Sequence, residues 1–206
     1  GVGDGATIAV MVGNRREFFE IFAAVCHASW VAVPVNWHWV GAELAYVIGN
    51  SGASAMIVDE AYLDVARDAR GREESEKCEH WIALGGDVPD DFESFESLLA
   101  AASPDEPDGQ ATGGPMFYTS GTTGAPKGVT YTHRSSYLHT LRILQVDGMA
   151  ISGADAVLAV VPMFHANAWG LVYAGPFCGT KLVFPGFKLD GASIYELLDK
   201  EQVTLS

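Results

Sequence analysis

The chain alternates short apolar runs with segments whose apolar residues recur at helical spacing. Predicted strands cover residues 7–12, 31–35, 55–58, 81–84, 115–119, 128–132, 156–161 and 181–184. Predicted helices cover residues 15–29, 42–48, 62–69, 92–101, 134–146 and 193–200. Alternation of this kind places helices over the faces of parallel sheets. We therefore predict an α/β fold built from parallel-sheet subdomains.

A polar stretch rich in proline and glycine, residues 103–114, lies between two series of strands and helices. We therefore divide the chain into a first α/β segment, residues 1–110, and a second α/β segment, residues 111–206. With 206 residues and a hydrophobic content of 49%, the chain is long enough to bury a substantial core in one or two domains.

The segment FYTSGTTGAPKGV, residues 117–129, combines glycines, hydroxyl side chains and one lysine between two predicted strands. Glycine lets the backbone approach a phosphate closely, and consecutive backbone N–H groups can surround phosphate oxygens. Each hydrogen bond to a charged group contributes roughly 1.5–3 kcal/mol. The hydroxyl groups that can add to this set belong to Thr119, Ser120, Thr122 and Thr123. The composition therefore indicates a loop that holds a nucleotide.

Spacing separates this loop from two common phosphate-binding loops. In a Walker A loop the lysine follows a glycine and precedes a serine or threonine, whereas Lys127 lies between Pro126 and Gly128. A dinucleotide-binding loop needs G-x-G-x-x-G, which the glycines from Gly121 to Gly128 do not match. A flexible surface connection is the structural alternative for a loop of this composition.

Charge and cysteine content restrict the class of protein. The formal net charge is −14, and residues 59–108 contain 16 acidic and 4 basic residues, so the loop belongs to a nearly neutral part of the chain. The acidity argues against nucleic-acid binding, which needs basic patches. No apolar run approaches the roughly 20 residues of a membrane span, and residues 1–4 do not resemble a signal peptide. The spacing of Cys26, Cys78 and Cys178 predicts buried free thiols in a cytoplasmic protein, not disulfides or a zinc site.

The order TSGTTG-x-PKG at residues 119–128 resembles the signature of the adenylate-forming superfamily of acyl-CoA synthetases, peptide-synthetase adenylation domains and luciferases. Two further segments, THR at residues 132–134 and VPMFHANAWG at residues 161–170, stand where such enzymes carry their next two motifs. The pairing of VPMFH with NAW most resembles long- and medium-chain fatty acyl-CoA synthetases. The resemblance spans nearly all of the chain and implies that it forms part of the large N-terminal domain of such an enzyme.

This resemblance implies a two-step reaction that uses ATP, Mg²⁺ and coenzyme A. A carboxylate attacks the α-phosphate of ATP, which gives acyl-AMP and pyrophosphate, and coenzyme A then takes the acyl group. The resemblance also implies a longer protein, because the acidic magnesium motif, the ribose-binding aspartate, the hinge and the C-terminal domain with the catalytic lysine are not found here. We therefore assign no catalytic residue to these 206 residues and expect them alone to lack full synthetase activity. The expected partners are small molecules: ATP, a fatty acid and coenzyme A.

The resemblance assigns the loop residues to the β- and γ-phosphates of ATP. The lysine adds a positive charge, and the Thr119 hydroxyl is also a candidate magnesium ligand. The nucleotide-binding residues implied in this way are Thr119, Ser120, Gly121, Thr122, Thr123, Gly124 and Lys127. A solvated surface lysine is the alternative for Lys127.

In the VPMFHANAWG segment, the resemblance implies a substrate-binding group of His165, Ala166 and Trp169. His165 would lie between the acyl pocket and the α-phosphate, and Trp169 would gate an acyl tunnel. The alternatives are a histidine satisfied in the core and a core-packing tryptophan. In the THR segment, His133 either orders the loop or caps a helix, and Arg134 either steers phosphate or forms a surface ion pair.

Three alternatives to a fatty acyl-CoA synthetase follow from the same residues. An adenylate-forming ligase could act on an aryl acid, a bile-type acid or an amino acid. A non-catalytic nucleotide-binding module could retain the loop. An unrelated P-loop hydrolase is disfavoured by the position of Lys127.

Overall fold

The computed structural model of the protein describes residues 2–105, 111–119 and 124–206. Its β-strands are β1 (Thr7–Met11), β2 (Val31–Pro34), β3 (Ala53–Asp59), β4 (His80–Leu84), β5 (Glu93–Ser94), β6 (Gly114–Thr119), β7 (Lys127–Thr130), β8 (Ala156–Leu158) and β9 (Lys181–Val183). Its α-helices are α1 (Arg16–His27), α2 (Gly41–Ser51), α3 (Leu63–Arg70), α4 (Phe95–Ala101), α5 (His133–Ile143), α6 (Ala166–Cys178) and α7 (Gly191–Lys200).

The chain divides into two compact units. The first unit comprises residues 1–12 and 21–130, and the second unit comprises residues 13–20 and 131–206. The assignment of residues 1–110 and 111–206 to separate segments of a larger N-terminal domain stays a prediction about the longer protein.

The first unit contains a seven-stranded sheet with the order β5-β4-β3-β1-β2-β6-β7. Neighbouring strands are parallel from β5 to β6, whereas β6 and β7 are antiparallel. A mainly parallel sheet flanked by helices confirms the predicted α/β fold. The antiparallel pair is an exception with a simple cause: the connection from β6 to β7 is residues 120–126, and a parallel return needs a crossover of a dozen or more residues.

The core of the first unit lies around its central strands. Every residue of β1 is buried, as is typical of a parallel strand covered on both faces. Helix α2 contributes Leu44, Ala45, Val47 and Ile48 to the same core and packs against α3. Burial of one side chain such as Leu44 contributes about 1.5–3 kcal/mol. The central strands and α2 together support the β6–β7 pair, which lies at one edge of the same sheet.

The second unit is organised around the parallel pair β8–β9, with α5, α6 and α7 as its helices. The chain end adds an isolated parallel bridge between Val157 and Leu205. Val157, Leu158 and Met163 are fully buried in this unit. The segment that joins β8 to α6 therefore starts from a well-packed strand.

Helix α6 corrects the sequence prediction, which placed no helix between the strands at residues 156–161 and 181–184. Its buried residues include Asn167, Ala168, Gly170, Leu171, Val172, Ala174 and Gly175. A helix buried on several sides shows no amphipathic period, and its glycines and Pro176 are poor helix formers. The usual sequence signals of a helix are therefore missing here.

The strand predicted over residues 156–161 ends at Leu158. The side chain of Asn14 donates hydrogen bonds to the carbonyl oxygens of Ala159 and Val161. These carbonyl groups are therefore occupied by a side chain where a longer strand would pair with a neighbour.

The helix predicted over residues 92–101 begins later, at Phe95, because Glu93 and Ser94 form the short strand β5. The hydroxyl oxygen of Ser94 accepts a hydrogen bond from the backbone N–H of Ser97 and so caps the first turn of α4.

Among the described residues, no helix is both long and apolar enough to cross a lipid bilayer.

Candidate functional site

The β6–β7 pair forms the base of the predicted phosphate loop. Register pairs Met116 with Thr130 at one end and Thr119 with Lys127 at the other. Two antiparallel strands with a short connection have the ends that it joins next to each other. Thr119 and Lys127 therefore lie side by side, where the loop leaves β6 and enters β7. Both residues are exposed.

The chemistry of the described loop residues suits a polyphosphate. Thr119 offers a hydroxyl group, and Lys127 has no carboxylate partner among the residues that the structure describes, so its charge is available to an anion. Gly124 is exposed with a φ of +132°, which L side chains rarely adopt. Of the other predicted nucleotide-binding residues, Ser120, Gly121, Thr122 and Thr123 lie outside the described residues.

Magnesium is the second group to test against these residues. The Thr119 hydroxyl is an oxygen ligand of the hard kind that Mg²⁺ prefers, and Mg²⁺ in nucleotide sites keeps several of its ligands on water and phosphate. Within the described ranges, no group of three or more His, Cys, Asp or Glu side chains is placed to hold a metal. Thr119 as a magnesium ligand stays a prediction.

The THR segment begins helix α5. The N-cap is Thr132, whose hydroxyl oxygen accepts from the backbone N–H of Ser135 at 3.1 Å, while the Ser135 hydroxyl oxygen accepts from the backbone N–H of Thr132 at 3.0 Å. This reciprocal arrangement is a capping box. The capping role considered for His133 therefore belongs to Thr132, and both His133 and Arg134 have exposed side chains.

The VPMFHANAWG segment places its predicted substrate residues at the surface of the second unit. His165 and Ala166 are exposed, and 54% of Trp169 is exposed. A core-packing tryptophan and a histidine satisfied in the core are therefore both wrong alternatives. Substrate binding by His165, Ala166 and Trp169 stays a prediction.

The backbone that carries Trp169 is left-handed. Positive φ angles run from Ala166 (46°) through Asn167 (53°), Ala168 (49°) and Trp169 (60°) to Gly170 (84°). For residues other than glycine, this conformation costs roughly 1–2 kcal/mol per residue. Stored strain of this kind is concentrated at functional sites in proteins.

Two asparagines near this segment were not identified from the sequence. Asn14 is 1% exposed; its amide donates to the carbonyl oxygens of Ala159 (2.7 Å) and Val161 (2.8 Å), and its Oδ1 accepts from the backbone N–H of Met163 (2.8 Å). A polar residue shortly after a buried strand, separated from β1 by Val12 and Gly13, was the available signal. Asn167 is also 1% exposed, and neither atom of its amide has a hydrogen-bond partner among the described residues.

The model of the family described as AMP-binding enzyme matches residues 1–206. The chain belongs to the AMP-binding enzyme family. The unrelated P-loop hydrolase considered from the sequence is thereby excluded.

Curated relatives of this AMP-binding chain include fatty-acid–CoA ligases and also CoA ligases of other acids, such as a 3-methylmercaptopropionyl-CoA ligase of Ruegeria pomeroyi at 32% identity. A long-chain-fatty-acid–CoA ligase of Thermus thermophilus is 38% identical over 207 residues, which is 100% of this chain and 38% of the relative. A medium-chain-fatty-acid–CoA ligase of Ectopseudomonas oleovorans is 33% identical over 208 residues, which is 96% of this chain and 38% of the relative. The chain thus spans less than two fifths of the length of these relatives.

A solved structure supports the same fold. The inhibitor-bound N-terminal domain of FACL13 from Mycobacterium tuberculosis superposes with a TM-score of 0.84 at 27% identity, covering 98% of this chain and 49% of that one. The α/β architecture of the AMP-binding chain is therefore that of the N-terminal domains of adenylate-forming enzymes.

The three cysteines of the AMP-binding chain are free. Cys26 and Cys78 are buried as predicted, and burial raises the pKa of each thiol to about 12. Cys178 corrects the prediction because it is only partly buried, at the last residue of α6. Its Sγ lies 2.9 Å from the hydroxyl of Thr180. Thiols protonated at neutral pH are poor nucleophiles, so neither Cys26 nor Cys78 is suited to covalent catalysis.

Proposed function

We propose that the protein containing this chain is an ATP-dependent acyl-CoA synthetase that acts on medium- or long-chain fatty acids. The observation that carries the proposal is the β6–β7 pair, which presents Thr119 and Lys127 of the TSGTTG-x-PKG motif side by side. Membership of the AMP-binding family supports the adenylation chemistry, and the relatives with the two highest identities given above, both fatty-acid–CoA ligases, support the class of acid.

The reaction proceeds in two displacements. A carboxylate oxygen of the acid bonds to the α-phosphorus of ATP as the bond to pyrophosphate breaks, which gives acyl-AMP and pyrophosphate. The sulfur of coenzyme A then bonds to the acyl carbon, AMP leaves, and the thiol proton passes to solvent. Positioning and charge neutralisation are the main contributions of a protein to phosphoryl chemistry of this kind.

The described residues of this chain contribute mainly to the first displacement. The ammonium group of Lys127 neutralises charge on the phosphates, and the hydroxyl of Thr119 donates to a phosphate oxygen or ligates Mg²⁺. When bound, Mg²⁺ neutralises further charge on the phosphates. The catalytic lysine of the resemblance is not among these residues, so activity belongs to the longer protein.

His165, Ala166 and Trp169 recognise the acid in this proposal. All three are exposed; Ala166 and Trp169 belong to the strained left-handed segment, and His165 directly precedes it. This supports a binding role because strain concentrates at functional sites. The Trp169 ring supplies a large apolar surface for an alkyl chain.

We place the protein in the cytoplasm, where thiols are kept reduced. The free state of Cys26, Cys78 and Cys178 supports this assignment. Recovery of the protein in the cytoplasmic fraction of the source cells is the expected result; recovery with membranes or in the medium would contradict it.

The test is substrate-dependent ATP–pyrophosphate exchange and thioester formation by the full-length protein. The panel contains fatty acids of 8, 12 and 16 carbons, together with benzoate, a bile acid and several amino acids, roughly ten acids in all. The fatty acids are chosen because two relatives are named as medium- and long-chain ligases. Exchange and thioester formation with the fatty acids alone is the expected result. Exchange with an aryl acid, a bile acid or an amino acid alone would identify the protein as an adenylate-forming ligase for that acid. Absence of exchange with every acid would favour the alternative that the protein is a non-catalytic nucleotide-binding module.

A further inference from the structure

Helix α2 is bonded to both sides of the base of the predicted phosphate loop through two tyrosine hydroxyl groups. Tyr46 of α2 donates from Oη to the carbonyl oxygen of Pro126 at 3.0 Å. Tyr118 of β6 donates from Oη to Oδ1 of Asn50 in α2 at 2.7 Å. All of these residues belong to the first unit. We refer to Tyr46 and Tyr118 as the tyrosine pair.

The spacing along α2 explains how one helix reaches both sides of the loop base. Tyr46 and Asn50 are four residues apart, so they lie on the same helix face one turn apart. Tyr118 immediately precedes Thr119, and Pro126 immediately precedes Lys127. One hydrogen bond of α2 therefore lies next to each of the two motif residues at the base of the loop.

Helix α2 is well suited to act as a rigid support. The Glu43 carboxylate accepts from the backbone N–H of Val40 at 3.0 Å, and Gly52 ends the helix with a φ of +65°. The opposite face of α2 is buried in the core, and both members of the tyrosine pair pack against that core. The pKa of the Tyr118 hydroxyl is raised, mainly by burial and to a smaller extent by the nearby Tyr46. The hydroxyl therefore stays a neutral donor at pH 7.

We propose that Tyr46 is a positioning residue for ATP: through its hydrogen bond to the Pro126 carbonyl it sets the place of Lys127 at the phosphates. The inference rests on the proposed function and adds to it a residue outside the motif. Tyr46 acts through the backbone of the loop and touches no substrate. Tyr118, through Asn50, supports the neighbouring strand beside Thr119 in the same way.

The kinetic test compares Tyr46→Phe with wild type in the full-length protein. The substitution removes only the hydroxyl group and keeps the packed ring. Loss of one neutral hydrogen bond predicts a rise of about three- to tenfold in KM for ATP, with KM for the fatty acid and for coenzyme A within about twofold of wild type. Tyr118→Phe is expected to change KM for ATP in the same direction.

The matched control is Ser54→Ala. The Ser54 hydroxyl also donates to a distant backbone carbonyl in the first unit, that of Thr7 at 3.4 Å, but at the start of β1 and β3. A merely structural role for Tyr46 would lower the midpoint of thermal unfolding and the amount of active enzyme in both variants without separating the three KM values. Unchanged KM for ATP in Tyr46→Phe would therefore overturn the proposal.

A second measurement does not depend on activity. Hydrogen–deuterium exchange of peptides covering residues 124–130 in the nucleotide-free full-length protein should be faster in Tyr46→Phe than in Ser54→Ala. Equal exchange in the two variants would overturn the positioning role. If wild type forms no thioester with any acid, the proposed function fails, and the exchange comparison still decides whether Tyr46 holds the loop base.

Discussion

Thr119 and Lys127 lie directly opposite each other, as the last residue of β6 and the first residue of β7. This register places a hydroxyl and an ammonium group at the two points where the predicted phosphate loop joins the sheet. The proposed function places the phosphates of ATP beside these two groups, which is the physical basis of the first prediction.

Lys127→Ala in the full-length protein should lower kcat/KM for ATP by about ten- to a hundredfold, because one charge-assisted hydrogen bond is lost. KM for the fatty acid should change less. Lys77→Ala serves as the control, since Lys77 is also an exposed lysine of the first unit but lies between α3 and β4, outside the motif. Equal kcat/KM for ATP in the two variants would show that Lys127 is a solvated surface lysine without a role in ATP binding.

Trp169→Ala should change the preference for acyl chain length, because the exposed indole is the largest apolar group of the predicted substrate-binding residues. The measurement is kcat/KM for a series of saturated fatty acids of increasing length. Phe177→Ala provides the control: Phe177 is 51% exposed on the same helix and packs beside Tyr137, with ring centroids 6.0 Å apart. A chain-length profile that moves with Phe177 but not with Trp169 would contradict the assignment.

Asn14→Asp should destabilise the protein by roughly 3 kcal/mol, although the two side chains are nearly the same size. A carboxylate cannot donate to the carbonyl oxygens of Ala159 and Val161, and a buried unsatisfied polar group costs about 1–3 kcal/mol. Denaturant unfolding measures the difference.

The same substitution at Asn36 gives the matched comparison for Asn14. Among the described residues, the side chain of Asn36 bonds only through its Oδ1, which accepts from the backbone N–H of His38 at 2.9 Å, and a carboxylate retains that acceptor. Asn36→Asp should therefore change the free energy of unfolding by less than about 0.5 kcal/mol. Equal losses at the two positions would show that the buried hydrogen bonds of Asn14 are not the cause.

Gly170→Ala should destabilise the protein by about 1–2 kcal/mol. Gly170 has a φ of +84°, and a Cβ atom there would lie 3.0 Å from the His139 ring. Gly191→Ala is the control, because the space around Gly191 is open and its backbone lies at the start of α7. A similar free energy of unfolding for both variants would contradict the left-handed backbone conformation at Gly170.

Thiol alkylation at pH 8 should modify Cys178 before the other cysteines in the native protein. With a pKa of about 12, only about one part in ten thousand of the Cys26 and Cys78 side chains is thiolate at that pH. Raising the pH increases the thiolate fraction, and denaturation exposes both groups. Peptide mass spectrometry after timed alkylation measures the order, and early modification of Cys26 or Cys78 in the folded protein would contradict it.

Local patterns were enough to predict most of the fold and the family to which the chain belongs. The buried strand β1 and the amphipathic helices are recognisable because their periodicity follows from which faces are buried. The family motif is recognisable because its glycines and hydroxyl groups are contiguous along the chain. Helix α6 lacked such a pattern, since it is buried on several sides and starts with a left-handed turn.

The sequence by itself therefore determined the alternation of strands and helices, the family motif and the identity of the residues that carry it. Tertiary structure alone decided what supports them: Tyr46 reaches Pro126 across 80 residues, and Asn14 reaches Met163 across 149. Hydrogen bonds between such distant residues leave no periodic trace, because they depend on how the strands and helices pack and not on the spacing of residues along the chain.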